Sequence, residues 1–174
     1  TPVEGCAGII QDVAVGSNGR VFLAVQRGTG LHLVSTDSKG GDAFCVDDQA
    51  GLASLEFDYA GKLHLAFEKN HGIEYRQFQT DAPTLKTVRT ERAAGAFGYA
   101  PVLLAHAGKI FLGYLGESCR PADLDMEFWT GKPWHRRNGL GGYIAVLVLD
   151  GDRWRRFALA DSQQFAKPIW PKTE

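Results

Sequence analysis

Ser54-Leu-Glu-Phe-Asp-Tyr-Ala-Gly-Lys-Leu-His-Leu-Ala-Phe67 reads as two strands joined by a tight turn that ends in Gly61. Glycine at that point supplies a positive φ at little steric cost. The strand after the turn, Leu63 to Phe67, is apolar on both faces, which suits a strand buried between two sheets. The same pattern occurs twice more. Asp12-Val-Ala-Val-Gly-Ser-Asn-Gly-Arg-Val-Phe-Leu-Ala-Val25 turns at Gly19, and Leu103-Leu-Ala-His-Ala-Gly-Lys-Ile-Phe-Leu-Gly-Tyr114 turns at Gly108. A basic residue follows each turn: Arg20, Lys62 and Lys109.

The copies extend beyond these hairpins. Gly30 lies 11 positions after Gly19, and Gly72 lies 11 after Gly61. Third strands are predicted at Leu31 to Thr36 and Ile73 to Phe78, and fourth strands at Asp42 to Val46 and Leu85 to Thr90. In the third copy the step from Gly108 to Gly142 is 34 positions, so an insertion of 23 residues falls at roughly Leu115 to Gly141. The strands Tyr143 to Leu149 and Arg153 to Ala158 then complete that copy. The turn glycines are spaced 42 and 47 residues apart. A four-stranded antiparallel unit of that period is a propeller blade, which hides its faces by stacking on neighbours.

The chain therefore reads as all-β and β-propeller-like, with three blades at about 9–50, 51–94 and 99–160 and a Pro- and Trp-containing tail at 161–174. A β-sandwich or an open stack of hairpins is the competing architecture. Propellers use about four to eight blades, so three imply a partial propeller, completed by another copy, another chain or further blades. The start at Thr1 rather than Met fits a processed product or a piece of a longer protein.

The blade core, Asp-x-x-Gly, a basic residue, then alternating apolar positions, resembles that of sialidase-like propellers with BNR-type repeats. Ser54 to Phe67 is the nearest match. The resemblance covers about 100 residues in three patches. It implies a blade fold and says little of activity. Asp150-Gly-Asp-Arg-Trp154 comes nearest to the family's Asp-box and lacks its Ser and its spacing. The family's catalytic arginines, Tyr-Glu pair and Asp have no counterparts that can be placed here.

Function is expected in the insertion, because long loops on a rigid β-scaffold carry binding sites. It joins the second and third strands of its blade, on the propeller face that usually binds ligands. Trp129, Trp134 and His135 offer flat rings, and Arg120, Arg136 and Arg137 offer cations. This set suits carbohydrate, with rings on pyranose faces and charges on hydroxyls. It also suits a protein partner, since Trp and Arg dominate interface hot spots. The plain structural alternative is that the tryptophans anchor the loop and its charges face water.

Asp123, Asp125 and Glu127 alternate, so an extended segment would bring them to one face. Paired carboxylates could serve a glycoside hydrolase or lyase, with Glu117 and Glu56 as further candidates. The same oxygens could hold Ca2+; no other cofactor is implied. Cys6, Cys45 and Cys119 show no CxxC spacing, so no zinc site is indicated. They read as one disulfide plus a free thiol, or as three unrelated buried thiols.

Lys132 to Arg137 could bind single-stranded nucleic acid, but a net charge of −1 argues against it. No apolar run approaches the ~18 residues of a membrane span. The loop-rich β architecture leans toward a secreted or periplasmic setting. His64 is expected to be a satisfied core histidine.

Overall fold

The computed structural model describes residues 8–36, 43–80, 85–94, 98–117 and 142–161. Twelve strands are present and no helix among the described residues. They form three antiparallel meanders. The first comprises β1 (Ile9–Val15), β2 (Val21–Arg27), β3 (Gly30–Ser35) and β4 (Ala43–Asp47). The second comprises β5 (Ala53–Phe57), β6 (Leu63–Lys69), β7 (Gly72–Gln79) and β8 (Lys86–Ala94). The third comprises β9 (Gly98–His106), β10 (Lys109–Glu117), β11 (Gly142–Asp150) and β12 (Arg153–Asp161). The sheets stack as blades in an open, propeller-like arrangement, with first strand beside first strand: β1 against β5 and β5 against β9.

The turn chemistry is as expected. Gly19, Gly61 and Gly108 have φ of 81°, 77° and 73°, where an L side chain would be strained. The first two turns close with bonds from Gly19 N–H to the Gly16 carbonyl and from Gly61 N–H to the Asp58 carbonyl. The third is tighter, a two-residue turn at Ala107 and Gly108 between the paired His106 and Lys109. Strand β10 runs to Glu117 and pairs with β11 from Leu115↔Ile144 to Glu117↔Gly142. The insertion is therefore shorter than its predicted span from Leu115. Residues 118–141 and the tail from 162 lie outside the described residues.

Alternation along the second strands explains the core. Phe22 and Ala24 face blade 2, where they join Leu55, Phe57, Leu63, Leu65, Phe67 and Phe78. Ala66 and Ile73 face blade 3 and meet Leu103, Ile110, Leu112 and Leu147. Leu63 to Phe67 is wholly buried because blade 2 has a neighbour on both sides. In the matching segment of blade 3, which has one neighbour among the described residues, Ile110 and Leu112 are buried while Phe111, Gly113 and Tyr114 are only partly so.

First strands pair on one edge only, so their outer amides need acceptors from elsewhere. Side chains of the preceding blade supply them. Asp12 Oδ2 accepts the Leu55 N–H at 2.8 Å and the Ser54 hydroxyl at 2.9 Å. Gln11 Oε1 accepts the Ala53 N–H at 2.6 Å. At the next junction Ser54 Oγ accepts the Leu103 N–H at 3.1 Å, and Glu68 Oε1 accepts the Ala100 N–H at 2.6 Å. A bulge in β9 with Ala100 at φ 47° brings that last amide into reach.

No helix among the described residues is long and apolar enough to cross a membrane.

Replacing Asp12 with Ala strands an amide and a hydroxyl at a buried junction. Urea denaturation is expected to show a loss of about 1–3 kcal/mol, with Asp12→Asn, which keeps an acceptor, losing less.

Candidate functional site

In an antiparallel meander the links β2–β3, β6–β7 and β10–β11 emerge at one end, together with the crossovers between blades. At that end a pocket of about 180 Å³ opens between blades 2 and 3. It is lined by Gln49, Gly51, Glu68, Lys69, Asn70, His71, Gly98 and Tyr99. Backbone bonds fix its walls: Gly51 N–H to the Glu68 carbonyl, Glu68 N–H to the Leu52 carbonyl, and Gly98 N–H to the His71 carbonyl. A larger cavity of about 390 Å³, lined by Lys62, Gln77, Gln79 and Thr80 among others, lies at the opposite end.

The pocket rim is a strained turn. Lys69 pairs with Gly72, leaving Asn70 and His71 as a two-residue loop with φ of 48° and 59°. Both residues sit in the left-handed region, at a cost of about 1 kcal/mol each relative to glycine. Asn and His are among the side chains that tolerate it. The conformation places both side chains at the pocket mouth.

Beneath the rim lies an ion cluster. Asp47, buried at the end of β4, accepts from Lys69 at 2.5 Å and from Arg76 at 3.1 Å. Arg76 also bonds Glu74 at 2.6 Å and the Val46 carbonyl, and its guanidinium lies over Phe67. Burial pushes the Asp47 carboxyl up. The bond from Lys69, the Gln49 N–H and the charges of Lys69 and Arg76 outweigh it and hold the group below its ordinary value. The bond to Asp47 in turn raises Lys69. The cluster locks blade 2 to blade 1, and Lys69 belongs both to it and to the pocket lining.

A second polar network lies between blades 2 and 3. His64, fully buried, donates from Nε2 to Asp58 Oδ2 at 3.1 Å, and its Nδ1 accepts the Tyr75 hydroxyl at 2.5 Å. Tyr75 packs edge-on against Trp154, whose Nε1 donates to Glu91 at 2.6 Å. His64 is thus the satisfied core histidine the sequence implies. Burial lowers its pKa, partly opposed by Asp58.

The predicted residues fall elsewhere. The catalytic candidates Asp123, Asp125 and Glu127, and the binding candidates Arg120, Trp129, Trp134, His135, Arg136 and Arg137, lie outside the described residues. The suggested Ca2+ oxygens belong to the same stretch. The strands that carry the insertion are described, and they root it beside the pocket: Gly116, next to the end of β10, pairs with Gly98 in the pocket wall. Glu56 is half-buried on β5, with its pKa raised mainly by burial, and bonds its neighbour Phe57 N–H at 3.2 Å. Cys45 is a free and exposed thiol, so it is not one of three buried ones.

Sequence reading missed Gln49, Glu68, Lys69, Asn70, His71 and Tyr99. The visible signal was the turn. Blade 1 has Gly28-Thr29 where blade 2 places Asn70-His71, although glycine is the easier residue there.

No protein-family model matches the chain, and no curated protein matches it.

Neutral His64 stabilises the fold. Its folded-state pKa lies below the ordinary 6.5, so the unfolded chain takes the proton first. That stability is complete above the unfolded value and is lost as pH falls below it. The thermal midpoint should drop between about pH 7 and pH 5, and His64→Gln should flatten the slope while lowering the midpoint at pH 7. His32, whose pKa burial and Arg27 also lower, contributes a slope of the same sign.

Proposed function

We propose that this chain is the recognition part of a β-propeller, of the sialidase-like class its blade core resembles, and that it binds carbohydrate at the end of the blades where the insertion emerges. The observation that carries this reading is the adjacency of the pocket and the insertion root. Tyr99, Gln49, Glu68, Lys69, Asn70 and His71 line one small concave site, and the strand row Gly98↔Gly116 brings the insertion to its edge. An aromatic ring among amide, carboxylate and ammonium groups is the mixture that orients a hydroxyl-rich ligand. From the insertion, Trp129, Trp134 and the arginines Arg120, Arg136 and Arg137 are proposed as further binding groups. The stiff turn at Asn70 and His71 favours a preformed site, which lowers the ordering cost of binding.

In this reading the three blades act as part of a larger ring, supplied by another copy or by further blades. A secreted or periplasmic setting goes with a glycan ligand.

A glycan array tests the reading, with any hit followed by titration. Tyr99→Ala and Trp134→Ala are each expected to raise Kd at least about 10-fold, or about 1.4 kcal/mol. His71→Gly suits the left-handed backbone and should leave the thermal midpoint unchanged or higher while weakening binding. Absence of any glycan hit, or binding indifferent to all three substitutions, contradicts the carbohydrate reading.

A further inference from the structure

The repeat separates the residues of blade 2 that the fold requires from those it does not. The second and third strands pair in the same register in every blade. One row is Phe22↔Ser35 in blade 1, His64↔Gln77 in blade 2 and Phe111↔Val148 in blade 3. The next row is Ala24↔Leu33, Ala66↔Tyr75 and Gly113↔Val146. Phenylalanine and aliphatic residues fill most of these positions, so packing alone is served without polar groups. Blade 2 instead carries an imidazole, a phenol and an amide side by side. Burying such groups is costly unless they are bonded. His64 and Tyr75 bond each other, and His64 bonds Asp58. The Gln77 side chain is half-buried and bonds nothing among the described residues. Gln77 lines the cavity of about 390 Å³ at the end of the blades opposite the pocket described above.

The walls of that cavity are tied to one another. Asp58 Oδ1 accepts the Lys62 N–H at 2.8 Å, and the Gly61 N–H bonds the Asp58 carbonyl, which fixes the turn between β5 and β6. The Thr80 hydroxyl, just past the end of β7, donates to the Gly61 carbonyl at 2.9 Å and holds the other wall to the same turn. Lys62 lines the cavity, and among the described residues its ammonium has no acceptor and no ion-pair partner. No carboxylate lines the cavity. Asp58, at the base of the turn, has both oxygens taken, one by the Lys62 N–H and one by His64. Ala60 and Val88 supply apolar surface beside these donors.

We propose that this cavity is a second binding site, for a small organic carboxylate. The carboxylate meets the Lys62 ammonium and accepts from the Gln77 side-chain amide, and the hydrocarbon body lies along Ala60 and Val88. A free cation, a free amide donor, apolar walls and no competing acid favour an anion over a neutral or cationic ligand. The volume falls within the roughly 300–1,000 Å³ of small-molecule sites. The site lies at the far end of the blades from the saccharide pocket and does not depend on that reading. His64 reports on it. Burial, Lys62 and Arg89 lower the His64 pKa while Asp58 raises it, so an anion that offsets the Lys62 charge raises it further.

NMR titration of the 174-residue chain with butyrate, its neutral analogue butyramide and inorganic phosphate tests the proposal. Butyrate should shift the Gln77 side-chain amide and the backbone amides of Gly61 and Lys62, leave Asn70, His71 and Tyr99 unmoved, and raise the His64 pKa. Lys62→Met should weaken butyrate at least about 10-fold and abolish the His64 response, since it removes a charge-assisted bond. Gln77→Leu restores the apolar character of the row and should weaken butyrate while leaving the thermal midpoint unchanged or higher. Lys62 is exposed on a turn, so its variant decides the matter even if Gln77→Leu fails to fold. The proposal is overturned if butyrate leaves Gln77 unshifted, if butyramide or phosphate binds as tightly as butyrate, or if Lys62→Met binds butyrate as the unsubstituted chain does.

Discussion

The structure depends on how the bare edges of its first strands are closed. Strands β1, β5 and β9 each pair with one partner in their own sheet, and adjacent blades do not share a ladder. An unpaired amide at such an edge is costly once neighbouring apolar faces exclude water. Asp12 answers for Leu55, Gln11 for Ala53, Ser54 for Leu103 and Glu68 for Ala100. Hydrophobic packing between blades is non-directional, and it would permit one sheet to slide on the next. These bonds are directional, so they fix the register of each blade on the one before. The salt bridges of Asp47 with Lys69 and Arg76 do the same at the outer strands.

That registration is what makes a site possible. The pocket between blades 2 and 3 has walls from three separate segments: the crossover at Gln49 and Gly51, the turn at Asn70 and His71, and the start of β9 at Gly98 and Tyr99. Two of its residues have structural duties as well. Glu68 caps an amide of blade 3, and Lys69 holds Asp47 of blade 1. The site is therefore built from the junction itself, and its shape follows from how the blades are locked together.

Much of the fold was legible in the sequence because the hairpin turns impose a chemical requirement. A positive φ at Gly19, Gly61 and Gly108 admits few residues other than glycine, and the doubly apolar strand beyond each turn states that the sheet is covered on both sides. The same alignment places Asp12 over Ser54 and Gln26 over Glu68, so the capping residues were in register but read only as polar positions in strands. Their role depends on which amide lies opposite, and that is a property of two blades and not of one. The pocket was hidden for a similar reason, since its lining is scattered from Gln49 to Tyr99 along the chain. The insertion was visible as an interruption of the repeat. Its strand boundaries needed the pairing of Leu115 to Glu117 with Gly142 to Ile144 to be placed.

Amide hydrogen exchange at the first strands tests the edge-closing account most directly. Leu55 and Leu103 occupy strand edges that lack a ladder partner, yet their amides should exchange as slowly as those of the ladder-bonded core strand β6, and Asp12→Ala should speed Leu55 selectively while leaving Leu103 slow. Fast exchange at Leu55 and Leu103 in the unsubstituted protein, at the rate of an open edge, would contradict it.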